Sequence, residues 1–310
     1  MLTTPVLFLI FNRPDLTERS FSIIKAARPA KLFVAADGPR SDKAGETELC
    51  LQTRQIVLDH IDWNCELYTL LRENNLGCMN AVSSAISWLF ENVEEGIILE
   101  DDICPDGTFF PFCEEMLVRY KNDERVTQIS GVNLNPQEIN KESYFFSKVG
   151  GIWGWATWRR VWQHYDVNIS GWEDKKVRND IKQFLKKKDW FNRIKGSFEM
   201  VYKKQLDTWD YQWVYTQMKL NGLAIIPGKN LIENVGFRGD ATHTHSSNEL
   251  LESKMKINSL SFPLIHPKKV ISNDEYTSYY FNLFDRPQPY YRQILKRIIV
   301  KIKDGVRKAN

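Results

Sequence analysis

Residues 97–106 read IILEDDICPD. An apolar run ends in three adjacent carboxylates, Glu100, Asp101 and Asp102. Like charges side by side repel, so a chain that gathers them implies a positive partner. A hard divalent cation, Mg2+ or Mn2+, prefers oxygen ligands and takes one or two carboxylates together with the phosphate oxygens of a substrate. The structural alternative is that these acids cap a following helix, favoured by its dipole. One acid suffices for a cap, and three do not follow from it.

Other residues carry chemistry of the same kind. In Asn12-Arg13-Pro14, Pro14 suits the first position of a helix, and the Arg13 guanidinium can hold a phosphate bidentately. Asp37-Gly38 is turn chemistry, or a carboxylate placed to accept a hydrogen bond from a nucleobase imide. Arg72 reads as a further phosphate contact or as a partner of Glu73 or Asp59. Asp207 and Asp210 fit a helix start, as N-cap and N3 acid; the functional alternative makes Asp210 a general base. In Trp153-Gly154-Trp155, Gly154 permits close backbone approach and the indoles offer stacking faces, against the alternative of an aromatic core. Trp158 and Trp162 read as core. His243 and His245 alternate and would share a face on a strand, so His243 is a candidate metal ligand against the commoner structural histidine.

Positioning these groups requires regular elements. The spacing predicts strands at 5–11, 31–37, 65–72, 96–100 and 126–131, with helices near 15–27, 45–60, 81–93 and 108–121 between them. Continuous apolar strands separated by amphipathic helices predict an α/β fold, a mostly parallel sheet covered on both faces. In such sheets ligands bind beyond the carboxyl ends of the strands. Asn12, Arg13, Asp37, Arg72 and the acidic triplet all fall at those ends. This mixture of cations and acids suits a nucleobase, a diphosphate and a bound metal. A GxGxxG after the first strand and a GxxxxGK[ST] are both missing from the sequence, which disfavours dinucleotide and P-loop chemistry. Beyond residue 145 the sequence predicts a basic helical region at 174–196 and a short strand at 223–227.

The chain has 310 residues, a net charge of +3 and ten Trp. This length supports a sizeable core, and the charge is too small to point to nucleic acid. So many indoles suggest flat faces for a sugar-binding cleft. Five cysteines, an odd number without a CxxC pair, predict a reducing, cytoplasmic setting. MLTTPVLFLIFNRPD reads as a first strand, not a signal peptide. Residues 290–308, YYRQILKRIIVKIKDGVRK, predict a basic amphipathic helix that docks on the protein or lies on an anionic membrane face.

Taken together, PVLFLIFNRPD, the ADG at 36–38, the NLGC at 75–78, EGIILEDD at 95–102 and GIWGWATW at 151–158 resemble inverting glycosyltransferases of the GT-A fold. The similarity is to a bacterial group described as hemolytic-protein-like or nucleotide-diphospho-sugar transferases, related to the eukaryotic N-acetylglucosaminyltransferase I type. It implies a Rossmann-like GT-A domain over 1–245, with a nucleotide-sugar-binding half at 1–131 and an acceptor half at 132–245. Residues 246–310 form a C-terminal extension, expected to be helical. It further implies that Arg13 contacts the diphosphate and Asp37 the base, with Asn12, Arg72 and Glu100 at the nucleotide site. Asp101 would lie near the ribose, and Asp102 would coordinate Mn2+ or Mg2+. Trp153, Gly154 and Trp155 would line the meeting point of donor sugar and acceptor, and Asp210 would be the base. The expected reaction moves a sugar from a nucleotide-diphosphate donor, of UDP type, to a saccharide or lipid-linked saccharide acceptor with inversion. The alternatives are a sugar-1-phosphate nucleotidylyltransferase and a non-catalytic carbohydrate-binding protein on the same fold.

Overall fold

The structure, a computed structural model, describes residues 1–135, 141–236 and 256–284. The first half alternates as the sequence predicts: β1 (Val6–Ile10), α1 (Pro14–Ala27), β2 (Lys31–Ala36), α2 (Glu46–Asp59), β3 (Glu66–Leu71), α3 (Gly77–Asn92), β4 (Glu95–Glu100), β5 (Ile103–Pro105), α4 (Phe109–Arg119) and β6 (Val126–Ser130). Then follow β7 (Tyr144–Ser147), β8 (Trp155–Trp158), α5 (Arg159–Trp162), a 3-10 turn (Ser170–Glu173), α6 (Lys175–Leu185), α7 (Lys188–Tyr202), α8 (Asp210–Lys219), β9 (Leu223–Pro227), β10 (Ile232–Asn234) and α9 (Asp274–Phe284).

Eight strands form one sheet in the order β3-β2-β1-β4-β8-β6-β9-β7, and β5 pairs with β10 in a separate ribbon. β1, β2, β3 and β4 run parallel. β8 inserts antiparallel between β4 and β6, and β7 is antiparallel to β9 at the edge. The α/β class and the mostly parallel sheet are as expected. β1, β2 and β4 are buried along almost their whole length, which accounts for their continuous apolar sequences. β3, at the edge, is largely exposed.

Three differences from the sequence reading have physical causes. α3 begins at Gly77, not 81, because two distant carboxylates satisfy its first backbone amides: Asp37 accepts from Leu76 N at 3.0 Å and Asp207 from Met79 N at 3.2 Å. The basic region at 174–196 is two helices, since Lys186 adopts a left-handed conformation with φ 63°. The Trp-rich run 155–158 is a buried central strand, β8.

β8 enters through a tight turn at Gly154, whose φ is +64°. A Cβ there would stand 2.5 Å from Ile232 Cδ1, so both conformation and space call for glycine. Gly154→Ala is expected to destabilise the protein by about 1–2 kcal/mol. Ile232→Val on top should recover only part, because the backbone strain persists. Urea unfolding of the single and double variants measures both.

Candidate functional site

The carboxyl ends of β3, β2, β1 and β4 lie side by side and bring the predicted polar groups to one edge. The acidic triplet closes β4, where Glu100 is in register with Leu9 of β1. Arg13, just past β1, reaches across to it. Its Nη1 donates to Asp102 Oδ2 at 3.0 Å and its Nε to Asp101 Oδ2 at 3.3 Å, while Nη2 donates to Asp101 Oδ1. The Asp101 side chain is 3% exposed, Asp102 17% and Arg13 23%. Ser20 Oγ donates to the Asp101 carbonyl at 2.8 Å, which ties α1 to the turn.

Charge and burial oppose each other here. Burial would lower the Arg13 pKa, but Asp101 and Asp102 outweigh it and raise the value above its ordinary range. Burial, then the Asp102 and Asp101 charges, push the Glu100 carboxyl up to about 8. Burial lifts Asp101 to about 6 even though Arg13 pulls the other way. Asp210 contributes to the upward shift of Glu100, which puts it within electrostatic reach of the triplet.

Asp210 is the first residue of α8, and Trp209 is the N-cap. Its Oδ1 accepts from Tyr211 N at 2.7 Å and from the Thr208 hydroxyl. The capping pair read from the sequence is therefore corrected. Asp207 serves α3 and not α8, because the 207–209 loop folds toward Gly77, where a Cβ would lie 3.3 Å from Asp207 Oδ2. Beneath Asp210 lies a tryptophan cluster. Trp155 stacks on Trp209 with centroids 5.8 Å apart and meets Trp213 at 5.1 Å. Tyr165 stacks on Trp162 at 4.3 Å and donates to the Trp209 carbonyl at 3.1 Å.

These placements refine the aromatic expectation. Seven of the ten Trp are buried. Trp155 is 0% exposed, so its ring belongs to the core and not to a cleft wall; Trp153 alone of the Trp153-Gly154-Trp155 triplet has a half-buried indole. Asp37 is buried and held up from the ordinary carboxylate range by burial, against the Leu76 and Gly38 amides that lower it. Asn75 Nδ2 also donates to it at 2.9 Å. Asn12 donates to Glu46 Oε1 at 2.9 Å, and Glu46 in turn pairs with Arg40. Arg72 turns to α3, donating to Ser84 Oγ at 2.7 Å, and pairs with neither Glu73 nor Asp59. His243 and the 290–308 segment lie outside the described residues.

The sequence reading missed several neighbours. Arg40 and Glu46 carry no signal beyond polarity, while Asn75 and Cys78 fall within the NLGC stretch at 75–78 but receive no role from it. Cys78 lies among the acids: burial, followed by Glu100, Asp207, Asp210 and Asp37, pushes its thiol up to about 12. Gly236 follows β10 so closely over the triplet that a Cβ would run into the Asp102 carboxylate, and Val235 N donates to the Asp102 carbonyl at 2.9 Å. Gly236 lies two residues past β10, a strand the sequence reading does not predict, so no local signal marks this contact.

The donor set limits what cation fits. Among the described residues no group of three or more His, Cys, Asp and Glu converges on a point. Both Asp101 oxygens face Arg13, which leaves Asp102 as the more accessible acid. A cation taking one protein carboxylate and completing its shell with phosphate and water suits this set; a fully protein-built cage does not. Among the described residues no helix is long and apolar enough to cross a membrane.

Two expectations follow. Arg13→Met leaves the buried Asp101 unpaired and should cost about 3 kcal/mol at pH 8, and less near pH 5, where Asp101 can take a proton instead. Glu100 sets a second pH dependence. Its folded pKa of about 8 exceeds the ordinary 4.5, so the fold binds the proton more tightly than the unfolded chain. Stability of the metal-free protein should therefore fall as pH rises from about 4.5 to about 8, by at most about 1.4 kcal/mol per unit for this group. Denaturant titrations across pH should show that slope, flattened in Glu100→Gln.

No protein-family model matches the chain and no curated protein matches it. Solved structures to which it is similar include a UDP-glucose pyrophosphorylase complexed with UDP-glucose, at 10% identity and TM-score 0.32, covering 52% of this chain and 78% of that one. HddC from Yersinia pseudotuberculosis is similar at 8% identity and TM-score 0.33, over 53% and 80%. The inositol-1-phosphate CTP transferase from T. maritima is similar at 10% identity and TM-score 0.40, over 84% and 100%. Likeness at this level assigns no family and carries no weight for activity.

Proposed function

We propose that this protein is a transferase acting on a nucleotide-linked sugar bound at the carboxyl edge of β1–β4. The observation that carries this is the Arg13–Asp101–Asp102 cluster, with Asp210 within electrostatic reach. In this reading Asp102 would hold Mg2+ or Mn2+, and the ion, when bound, would supply charge stabilisation for the leaving diphosphate. Arg13 releases Asp102 and turns one N–H to a phosphate oxygen while it keeps Asp101. Trp153 borders the sugar.

The preferred reaction is glycosyl transfer to a saccharide or lipid-linked saccharide. Asp210 accepts the proton of an acceptor hydroxyl, whose oxygen attacks the anomeric carbon as the bond to the diphosphate oxygen breaks. One displacement inverts the configuration and needs no enzyme nucleophile. The resemblance carried by the sequence motifs supports this choice. So does the FNRPD turn, which has no glycine-rich loop after β1.

A second reading is sugar-1-phosphate nucleotidylyl transfer, in which a sugar phosphate oxygen attacks the α-phosphorus of a nucleoside triphosphate and releases pyrophosphate. That is the chemistry after which the UDP-glucose pyrophosphorylase and the inositol-1-phosphate CTP transferase are named. It uses the same strand edge and cation but gives Asp210 no proton to take.

One experiment separates the readings. The full chain is incubated with Mn2+ and either a panel of UDP-sugars with saccharide acceptors, or nucleoside triphosphates with sugar 1-phosphates. Glycosyl transfer predicts UDP release that falls about 10²–10⁴-fold in Asp210→Asn, with metal-dependent UDP binding unchanged. Pyrophosphate release without UDP release, indifferent to Asp210→Asn, establishes the second reading. No metal-dependent UDP binding and no release of either product would overturn both and leave a carbohydrate-binding role.

A further inference from the structure

Far from the acidic edge in sequence, α6 and α7 concentrate positive charge. Residues 174–204 carry eleven Lys and Arg against four acids, on a chain whose net charge is only +3. The remainder is therefore net negative. On α6, Lys175, Arg178 and Lys182 follow at spacings of three and four, which places them on one helical stripe. Like charges at that spacing repel and weaken a helix. Lys176, off that stripe, pairs with Asp180 at 3.0 Å.

The stripe faces a groove. A cavity of about 280 Å³ between α6 and α7 is lined by Lys175, Arg178, Asn179, Lys182, Phe191 and Lys195. Four of these six are cations and none is an acid. The frame is packed: Arg178 lies over Trp172 at 6.0 Å and Lys182 over Phe191 at 5.0 Å, and both rings are buried in a second core cluster with Phe198 and Tyr215. Lys195 has an acid near it, Glu199 at 3.3 Å. A merely solvated basic face would not require four cations to converge on one concavity whose walls are held by aromatic packing.

We infer that this groove binds a phosphate-type oxyanion. Arg178 supplies a planar pair of donors, the lysines supply point charges, and Asn179 supplies a neutral donor, a combination suited to a phosphomonoester or diphosphate. The group is either free or carried on a lipid headgroup. The site is independent of the β1–β4 edge and of the reaction assigned there.

The probe is pyrophosphate, titrated into the full-length protein at low salt and followed by backbone-amide NMR shifts, so that binding at the β1–β4 edge is seen separately. Saturable shifts are expected in residues 175–195. Arg178→Ala/Lys182→Ala should weaken this binding about tenfold or more. Asn179→Asp, which keeps every cation but places an acid in the groove, should do the same. Lys203→Ala/Lys204→Ala, which removes equal charge from exposed positions outside the groove, should leave it nearly unchanged. Co-sedimentation with phosphatidylglycerol vesicles, lost in the groove variants and competed by pyrophosphate, would identify a lipid headgroup as the source; indifference to vesicles would identify a free phosphate. Equal weakening by both double variants, or the absence of saturable shifts in 175–195, overturns the site.

Discussion

Arg13 and Asp101 form an ion pair in which the acid is almost wholly buried and the base mostly so. An isolated carboxylate at that depth would be very costly, and the pair offsets the cost only because the guanidinium contacts both oxygens. The contact exists because β1 and β4 are adjacent and parallel, so that their ends emerge at one height. Neighbouring features depend on it. Asp102 shares the same guanidinium, and Ser20 fixes the backbone turn from α1. Glu100, without a cation of its own, is driven toward the protonated state. The edge is therefore short of positive charge even with Arg13 in place. That deficit is what makes a cation-bearing, phosphate-bearing ligand its natural complement.

The second constraint is the position of Asp210. A carboxylate at the start of a helix is mobile unless its helix is anchored, and α8 is anchored by indoles. Trp209 and Trp213 flank Asp210 and pack on Trp155. Trp213 Nε1 also donates to Gln128 Oε1 at 3.1 Å, on β6 in the sheet. Because β8 lies between β4 and β6, the tryptophan platform and the triplet are built on neighbouring strands. The tryptophans thus contribute by fixing a carboxylate more than by presenting faces.

Much of this was legible in sequence, for identifiable reasons. Buried parallel strands must be continuously apolar, so β1, β2 and β4 stood out, and the polar residues at their ends followed from where a strand stops. What the local pattern could not carry was partnership across long separations. α3 starts where Asp37 and Asp207 cap it, about 40 and 128 residues away. No local rule relates Asp207 to Met79, and the nearest helix start was the wrong owner. Trp155 looked like a stacking surface because period alone does not distinguish a central antiparallel strand from an aromatic loop. Gly236 lies against Asp102 from 134 residues downstream, and only the β5–β10 ribbon makes them neighbours.

The near-neutral total charge conceals a division of labour. Asp37, Glu100, Asp101, Asp102, Asp207 and Asp210 belong to one end of the sheet, while residues 174–204, which include α6 and α7, hold a local excess of seven positive charges. No cation of the groove is among the main causes of the Glu100 and Asp101 shifts, so the two regions act as separate surfaces. They are nevertheless mechanically joined. α8, which presents Asp210 at its first residue, packs through Tyr215 against Trp172 and Phe198 of the α6–α7 layer. These aromatic contacts give the basic layer and the helix that carries Asp210 one shared apolar core, whether or not the groove is occupied.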